Sequence, residues 1–381
     1  MNGFINLSKP LHITSADAVN KVKWLLKPTK IGHAGTLDPL ATGVLPLALG
    51  EGTKCINLLM DARKTYEFSV TFGERRATDD AEGEVVATSS HIPSEGEIEA
   101  ILPRFTGEIS QMPPIYSALK VAGRRAYDLA RAGEEVVLQP RPVTIHALEF
   151  LGTTVGLAPP LPRGEVGKPS VRRSAAEADA GFPGEGGLTQ LDNRPHPKNA
   201  RVSSPLRCEE TRHFSTSPDG RGAQAVPSEA NNPLESTLRG PCVARFRAVV
   251  SKGTYIRSLG RDIAQALGSE GYISMLHRAA VGPFTDANAI SLDFLEQSVH
   301  NAPPPEGMSR WLTPLERALD DIPALAIDGG QLSQLRHGQQ VTLATHHPDT
   351  PQIAVMHQGQ LVGLARVEGN RLISNRLLLT N

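Results

Sequence analysis

The stretch from Gly156 to Gly240 does most to limit what this chain can fold into. Its 85 residues hold 11 prolines, 10 glycines and only two aromatics, Phe182 and Phe214. Runs such as Gly181-Phe182-Pro183-Gly184-Glu185-Gly186-Gly187 have neither the period of a helix nor that of a strand. So little apolar surface cannot offset an ordering cost of about 1–2 kcal/mol per residue for the backbone alone. The segment is therefore expected to be a disordered, low-complexity insertion. Strand-like alternation resumes directly after it, over 244–250. The 39% hydrophobic and 4% aromatic content of the whole chain fits a protein in which a large part builds no core.

On either side the patterns are those of a folded protein. Thr14 to Lys27 reads as a helix, with Thr14 or Ser15 as N-cap, an apolar stripe of Ala18, Val22, Leu25 and Leu26, and Pro28 as stop. Residues 66–72 alternate, which puts Tyr66, Phe68, Val70 and Phe72 on one strand face. Helices are expected over 94–103, over 117–132 ending at Gly133, and over 257–267 ending at Gly268. A second junction, Pro303-Pro304-Pro305, precedes strand-like runs at 352–356, 361–367 and 371–379, which read as a small β domain. Strands and helices intermix without a regular βαβ rhythm, so the fold class is α+β with a mixed sheet. The expected division is 1–155 and 241–300 as one catalytic domain split by 156–240, and 308–381 as a C-terminal domain.

Several function classes fall away early. No apolar run approaches the ~20 residues of a membrane span, and the N-terminus lacks the basic-then-apolar build of a signal peptide. Cys55, Cys208 and Cys242 form no CxxC pair, which argues against a zinc knuckle or redox motif and fits reduced thiols in the cytoplasm. A net charge of −1 says nothing about nucleic acid by itself, because phosphate binding needs local clusters. Two such clusters exist. One is Lys120, Arg124, Arg125 and Arg131, with Tyr116 and Tyr127 nearby; the other is Arg245, Arg247, Lys252, Arg257, Arg261 and Arg278.

Chemistry points to residues 32–45, Gly-His-Ala-Gly-Thr-Leu-Asp-Pro-Leu-Ala-Thr-Gly-Val-Leu, where glycine-rich turns flank a single carboxylate, Asp38. Asp38-x-x-x-Thr42 partly matches the nucleophile loop of haloacid-dehalogenase-type phosphohydrolases. That loop needs a second aspartate two residues on, and Leu40 stands there. The other constellation, Ser251-Lys252-Gly253-Thr254-Tyr255-Ile256-Arg257, joins a strand to a helix, a common place to present side chains at a sheet edge.

Taken together, these blocks resemble the TruB family of tRNA pseudouridine synthases. The resemblance rests on five segments in the family's order: 3–10 with Thr14-Ser15, 30–45, Lys64-Thr65-Tyr66, Pro113 to Lys120, and 251–257. It implies a mixed, mostly antiparallel central sheet with flanking helices and a small β-rich, PUA-like C-terminal domain. The implied reaction isomerises a T-loop uridine of tRNA to pseudouridine after base flipping, and needs neither metal nor cofactor. Asp38 corresponds to the family's catalytic carboxylate, Arg257 to its arginine partner and Tyr66 to its active-site tyrosine. Tyr255 and Leu276 correspond to pocket residues, and His33 to the residue that fills the space left by the flipped base. The basic segment 117–131, with Lys120 and Arg125, corresponds to the part that packs on the T arm; Lys252 belongs to the second basic cluster. A stand-alone enzyme without guide RNA follows from the same comparison, with a monomer as the expected form. Two departures stand out: His277 replaces a usual arginine beside Arg278, and 156–240 enters where a short hairpin connection is expected. The competing reading is a tRNA-binding or tRNA-folding protein that has lost catalysis.

Overall fold

In a computed structural model, ten strands among the described residues from 3 to 291 form one mixed sheet. The structure describes residues 1–117, 119–121, 123–132, 136–155, 242–301, 307–319 and 322–378. The expected insertion 156–240 and the Pro303–Pro305 junction lie outside the described residues. Eight strands form the spine: β1 (Gly3–Lys9), β2 (Ala41–Leu49), β3 (Lys64–Phe72), β4 (Gly107–Gln111), β5 (Arg141–Val155), β6 (Cys242–Val250), β7 (Gly271–Val281) and β8 (Ile290–Ser291). Their spatial order is β8-β1-β2-β7-β3-β6-β5-β4. Only β8–β1 and β2–β7 are parallel, so the sheet is mostly antiparallel, as expected.

β2 is buried along almost its whole length. Ala41, Leu45, Leu47 and Leu49 pack with Ile5, Leu7 and the stripe Ala18, Val22 and Leu26 of helix Ser15–Leu26. Val44 and Ala48 face the other way, into a cluster with Phe4, Cys55, Leu59 and the C-terminal residues Ala354, Leu361 and Leu364. Burial on both faces removes the polar alternation that would have marked this strand in the sequence. Helix Ser15–Leu26 starts on a capping box: Asp17 N–H donates to Thr14 Oγ1 at 3.0 Å and Thr14 N–H to Asp17 Oδ2 at 3.0 Å. It ends at Lys27, in the left-handed region, just before Pro28.

β5 and β6 pair antiparallel out to Val155 opposite Cys242. The two ends that flank 156–240 are therefore cross-strand neighbours, where the sequence comparison expects a hairpin. Helix Ile256–Ala266 lies against β7 so closely that a Cβ on Gly260 would come within 2.5 Å of Ile273 Cδ1.

One expected helix is corrected. Instead of a continuous helix over 117–132, Lys120–Val121 and Arg124–Arg125 pair as a short hairpin before a six-residue helix, Ala126–Arg131. Gly123, at φ +85°, allows the two-residue turn, which a helical pattern of side chains does not reveal.

The C-terminal part contains a five-stranded sheet in the order Ala324–Ala326, Thr350–His357, Gln360–Glu368, Arg371–Leu377, Val341–Thr342. Helix Gly329–Arg336, capped by Asp328 and unread in the sequence, packs Leu332 and Leu335 onto it. Ahead of it, Thr313 exchanges two backbone hydrogen bonds with Phe4 of β1, at 2.8 and 2.7 Å. Among the described residues no helix is long and apolar enough to cross a membrane.

Candidate active site

Asp38 sits in the loop between the short strand Ile31–His33 and β2, and buried polar groups fix that loop from three sides. Ser15 Oγ accepts from Leu37 N–H at 2.8 Å and donates to Leu37 C=O at 3.0 Å. Lys9 Nζ, fully buried, donates to the carbonyls of Pro10 and Ile13 at 2.9 and 2.8 Å and lies 3.4 Å from that of Pro39. Arg278, 1% exposed, donates to Val44 C=O at 2.7 Å and Gly35 C=O at 3.0 Å. Burial brings the Lys9 ammonium down to about 8, opposed by the nearby Asp38 and reinforced by Arg278. Every carbonyl named here would be costly to bury unpaired, so these contacts set the loop's path. Gly43 lets Arg278 approach: at φ +100°, a Cβ there would sit 2.4 Å from the Arg278 carbonyl oxygen.

Arg257, in the first turn of helix Ile256–Ala266, is the cation that meets Asp38. Its Nε lies 2.9 Å from Asp38 Oδ2. The same guanidinium donates to Thr78 C=O at 3.1 Å and Tyr116 C=O at 3.0 Å, and Nη1 lies 3.5 Å from Asp80 Oδ2. The side chains of Arg257 and Asp80 are 7% and 8% exposed, and that of Asp38 37%. Only Asp38 thus has an open side, while Asp80 holds the guanidinium from within the protein. Burial pushes the Asp80 carboxyl up from its ordinary value, and Thr78 and Arg257 pull it back. Thr78 Oγ1 donates to Asp80 Oδ1 at 2.5 Å, and Glu82 N–H to the same oxygen at 3.1 Å.

Asp38, Asp80 and Arg257 line a small, open cleft, with Leu40 and Ala41 on the loop side and Ile273 to Leu276 of β7 opposite. Asp38, Arg257 and Leu276 therefore share one cavity. Tyr66 does not line it; half-buried on β3, it packs against the apolar clusters on both sides together with Leu276. Tyr255 caps helix Ile256–Ala266, its backbone tied to Gln111 by bonds of 2.8 and 3.1 Å, and burial raises its phenol above the ordinary value. His33 is half-buried at the end of the strand that leads into the loop, and burial followed by Arg278 lowers its imidazole.

The remaining expected residues lie elsewhere. Lys252 pairs with Asp61 at 2.7 Å in an exposed ion pair. Of Lys120 and Arg125 only the backbone lies within the described residues. The six basic residues from 245 to 278 form no common surface: Arg257 and Arg278 are buried, Arg261 is bound to Asp79 and Asp262, and Arg247 to Glu67. His277 lies between Thr42 Oγ1 at 2.8 Å and Asp286 Oδ2 at 2.7 Å. Period-two alternation along β7 puts it on the opposite face from Leu276. Sequence reasoning missed Lys9, Ser15 and Asp80, whose roles come from contacts 22 or more residues away in the chain. For Asp80 the visible signal is the pair of acids Asp79-Asp80 in a turn.

Three family models match the chain. Residues 23–157 match the TruB family pseudouridylate synthase N-terminal domain, 257–320 the tRNA pseudouridylate synthase B C-terminal domain, and 323–378 the C-terminal domain of pseudouridine synthase II TruB. The protein called tRNA pseudouridine synthase B in Bradyrhizobium diazoefficiens is 37% identical over 380 residues, covering 99% of this chain and 86% of that relative. Its counterpart in Rhodopseudomonas palustris is also 37% identical, covering 99% and 81%. A solved H/ACA RNP bound to a substrate RNA containing 2'-deoxyuridine has the same fold in a chain 20% identical, at a TM-score of 0.59, covering 99% of this chain and 85% of that one. With relatives of this identity aligned along nearly its whole length, and the Asp38 loop inside the first matched domain, the chain belongs to the TruB family of pseudouridine synthases.

Proposed function

We propose that the protein isomerises a uridine in the T loop of tRNA to pseudouridine, with Asp38 as the catalytic carboxylate. The reading rests on one observation above the others: Asp38 Oδ2 lies 2.9 Å from Arg257 Nε in the cleft walled by Leu276. The reaction breaks the N1–C1′ bond, forms a C5–C1′ bond and moves the C5 proton to N1, so substrate and product have the same atoms. A carboxylate can serve as nucleophile or as proton acceptor in such a sequence, and a charge-assisted bond from Arg257 holds its orientation. Leu276 packs on the flipped base, and His33 stacks in the space the base leaves. Tyr66 and Tyr255, which do not line the cleft itself, meet the base where it projects beyond it. Lys120 and Arg125 contact the T arm. Lys252 reaches a phosphate only by releasing Asp61.

The relatives named tRNA pseudouridine synthase B support tRNA as the substrate; binding it without a guide RNA belongs to the same proposal. A monomer acting in the cytoplasm is the simplest form of that enzyme. In domain terms, 1–155 and 241–300 make one catalytic unit, 156–240 an insertion dispensable to it, and 308–381 a PUA-like module. The test is incubation of unmodified tRNA with the protein in EDTA, followed by chemical mapping of pseudouridine. Product at the T-loop uridine is expected. No product there contradicts the reading, and product only when metal is restored favours metal-dependent chemistry instead.

A further inference from the structure

The most exposed large apolar side chain of the described residues is on helix Ser15–Leu26, where Trp24 is 71% exposed. Asn20, Lys23 and Trp24 follow the i, i+3, i+4 spacing of one helical ridge, and all three are exposed, as is Lys27 at the left-handed C-cap that ends the helix. Lys30, three residues beyond that cap, is also exposed. None of Lys23, Lys27 and Lys30 has an acidic partner among the described residues, whereas Lys21, on the neighbouring face, is neutralised by Glu296 at 3.0 Å. The helix's own acid, Asp17, is in its first turn, at the other end. The patch thus holds three uncompensated cations around one bare indole.

A cation in the last turn complements the helix dipole, which accounts for Lys23. It does not account for Lys27 and Lys30, which lie past the last turn, nor for an indole left in water. The C-terminal carbonyls that would repel an anion are partly covered, since Lys27 N–H donates to Lys23 C=O at 2.9 Å. Lys30 immediately precedes the strand Ile31–His33 that runs into the Asp38 loop. At ~3.3 Å rise per strand residue, Lys30 and His33 are about 10 Å apart. Lys30 thus lies near the chain segment that leads into the Asp38 loop, and a tRNA is a substrate large enough to extend beyond the cleft.

We infer that Lys23, Trp24, Lys27 and Lys30 form a second contact surface for the substrate RNA, the lysines on phosphates and the indole stacked on an unpaired base or ribose. This deepens the tRNA reading and rests on it. Lysines of this kind supply salt-dependent affinity without sequence information, and a tryptophan face accepts any base.

The test uses the full chain and an unmodified tRNA transcript. Of the two tryptophans, Trp311 is 4% exposed, so acrylamide quenching reports chiefly on Trp24. Saturating tRNA should protect that fluorescence, and Trp24→Phe should remove the protectable part. The triple variant Lys23→Ala/Lys27→Ala/Lys30→Ala should bind tRNA roughly tenfold more weakly and lower the slope of log K against log salt by about 2 to 3. Its KM should rise while kcat stays unchanged. Trp24→Ala should weaken binding about fivefold or more. Unchanged affinity and slope, with Trp24 still quenched at saturating tRNA, overturn the inference while leaving the isomerase reading intact. Protection that develops with protein concentration alone marks a second copy of the chain and also overturns it. Trp24 protected by a tRNA that is never isomerised supports this surface while contradicting the enzymatic reading.

Discussion

Asp80 shows how the site works at the scale of single residues. Arg257 could hold Asp38 in many orientations; the buried Asp80, with two carbonyls, leaves its guanidinium one. Removing that charge leaves the side chains in place but frees the arginine to turn, and small misplacements of catalytic groups cost about 10²-fold in rate. Asp80→Asn is therefore expected to lower kcat by roughly that factor with little change in KM, as measured by tritium release from labelled tRNA. A change confined to KM would place Asp80 in substrate binding instead. Arg257→Lys, which loses the planar fork, should lower kcat at least as much. Asp38 and Arg257 were legible in the sequence because each lies in a long family-like block. Lys9 and Ser15 lie in such a block too, but nothing local says that they hold a loop more than 20 residues further on.

At the scale of elements, legibility followed solvent exposure. Helix Ser15–Leu26 and strand β6 have a wet side that prints a period into the sequence, while β3 alternates because Ser69 and Thr71, though buried, are polar. β2 has no wet side, and its residues 41–45 read as part of an irregular loop. The hairpin at 120–125 was hidden for a different reason, because one glycine at positive φ reverses a chain whose composition favours helix. Gly43 carries a similar load: Gly43→Ala must move either β2 or Arg278, and is expected to cost on the order of 3 kcal/mol in denaturant unfolding. A cost below ~1 kcal/mol would show that the contact between Gly43 and Arg278 relaxes easily. The pairing of Val155 with Cys242 makes a further prediction about the segment between them. Replacing 160–238 with a short Gly-Ser turn should preserve both melting temperature and activity, since the strands already meet. A large drop in melting temperature would show that the segment contributes structure.

For the molecule as a whole, buried charge links stability to pH. Lys64 Nζ closes the end of helix Ile56–Asp61 on the carbonyls of Leu59, Met60 and Ala62, and burial brings it from 10.5 down to about 8. The folded state thus favours the neutral amine more than the unfolded chain does. That contribution is present above pH ~10.5 and lost as pH falls through 8. The stability of the wild type relative to Lys64→Met should therefore rise between pH 7.5 and pH 10, and a difference independent of pH would contradict the burial argument. The α+β class and the C-terminal β-rich domain were readable from periodicity and junctions. The union of the two parts through Phe4, Leu315 and Leu361 was not, because it joins residues from opposite ends of the chain. The proposed reaction needs one carboxylate, on a surface that binds tRNA independently of it. The measurement that tests this most directly is pseudouridine mapping of unmodified tRNA treated with wild type and with Asp38→Asn, alongside tRNA affinity for both. T-loop product is expected from the wild type only, at similar affinity. Product from Asp38→Asn, or none from either protein, would contradict the proposed reaction.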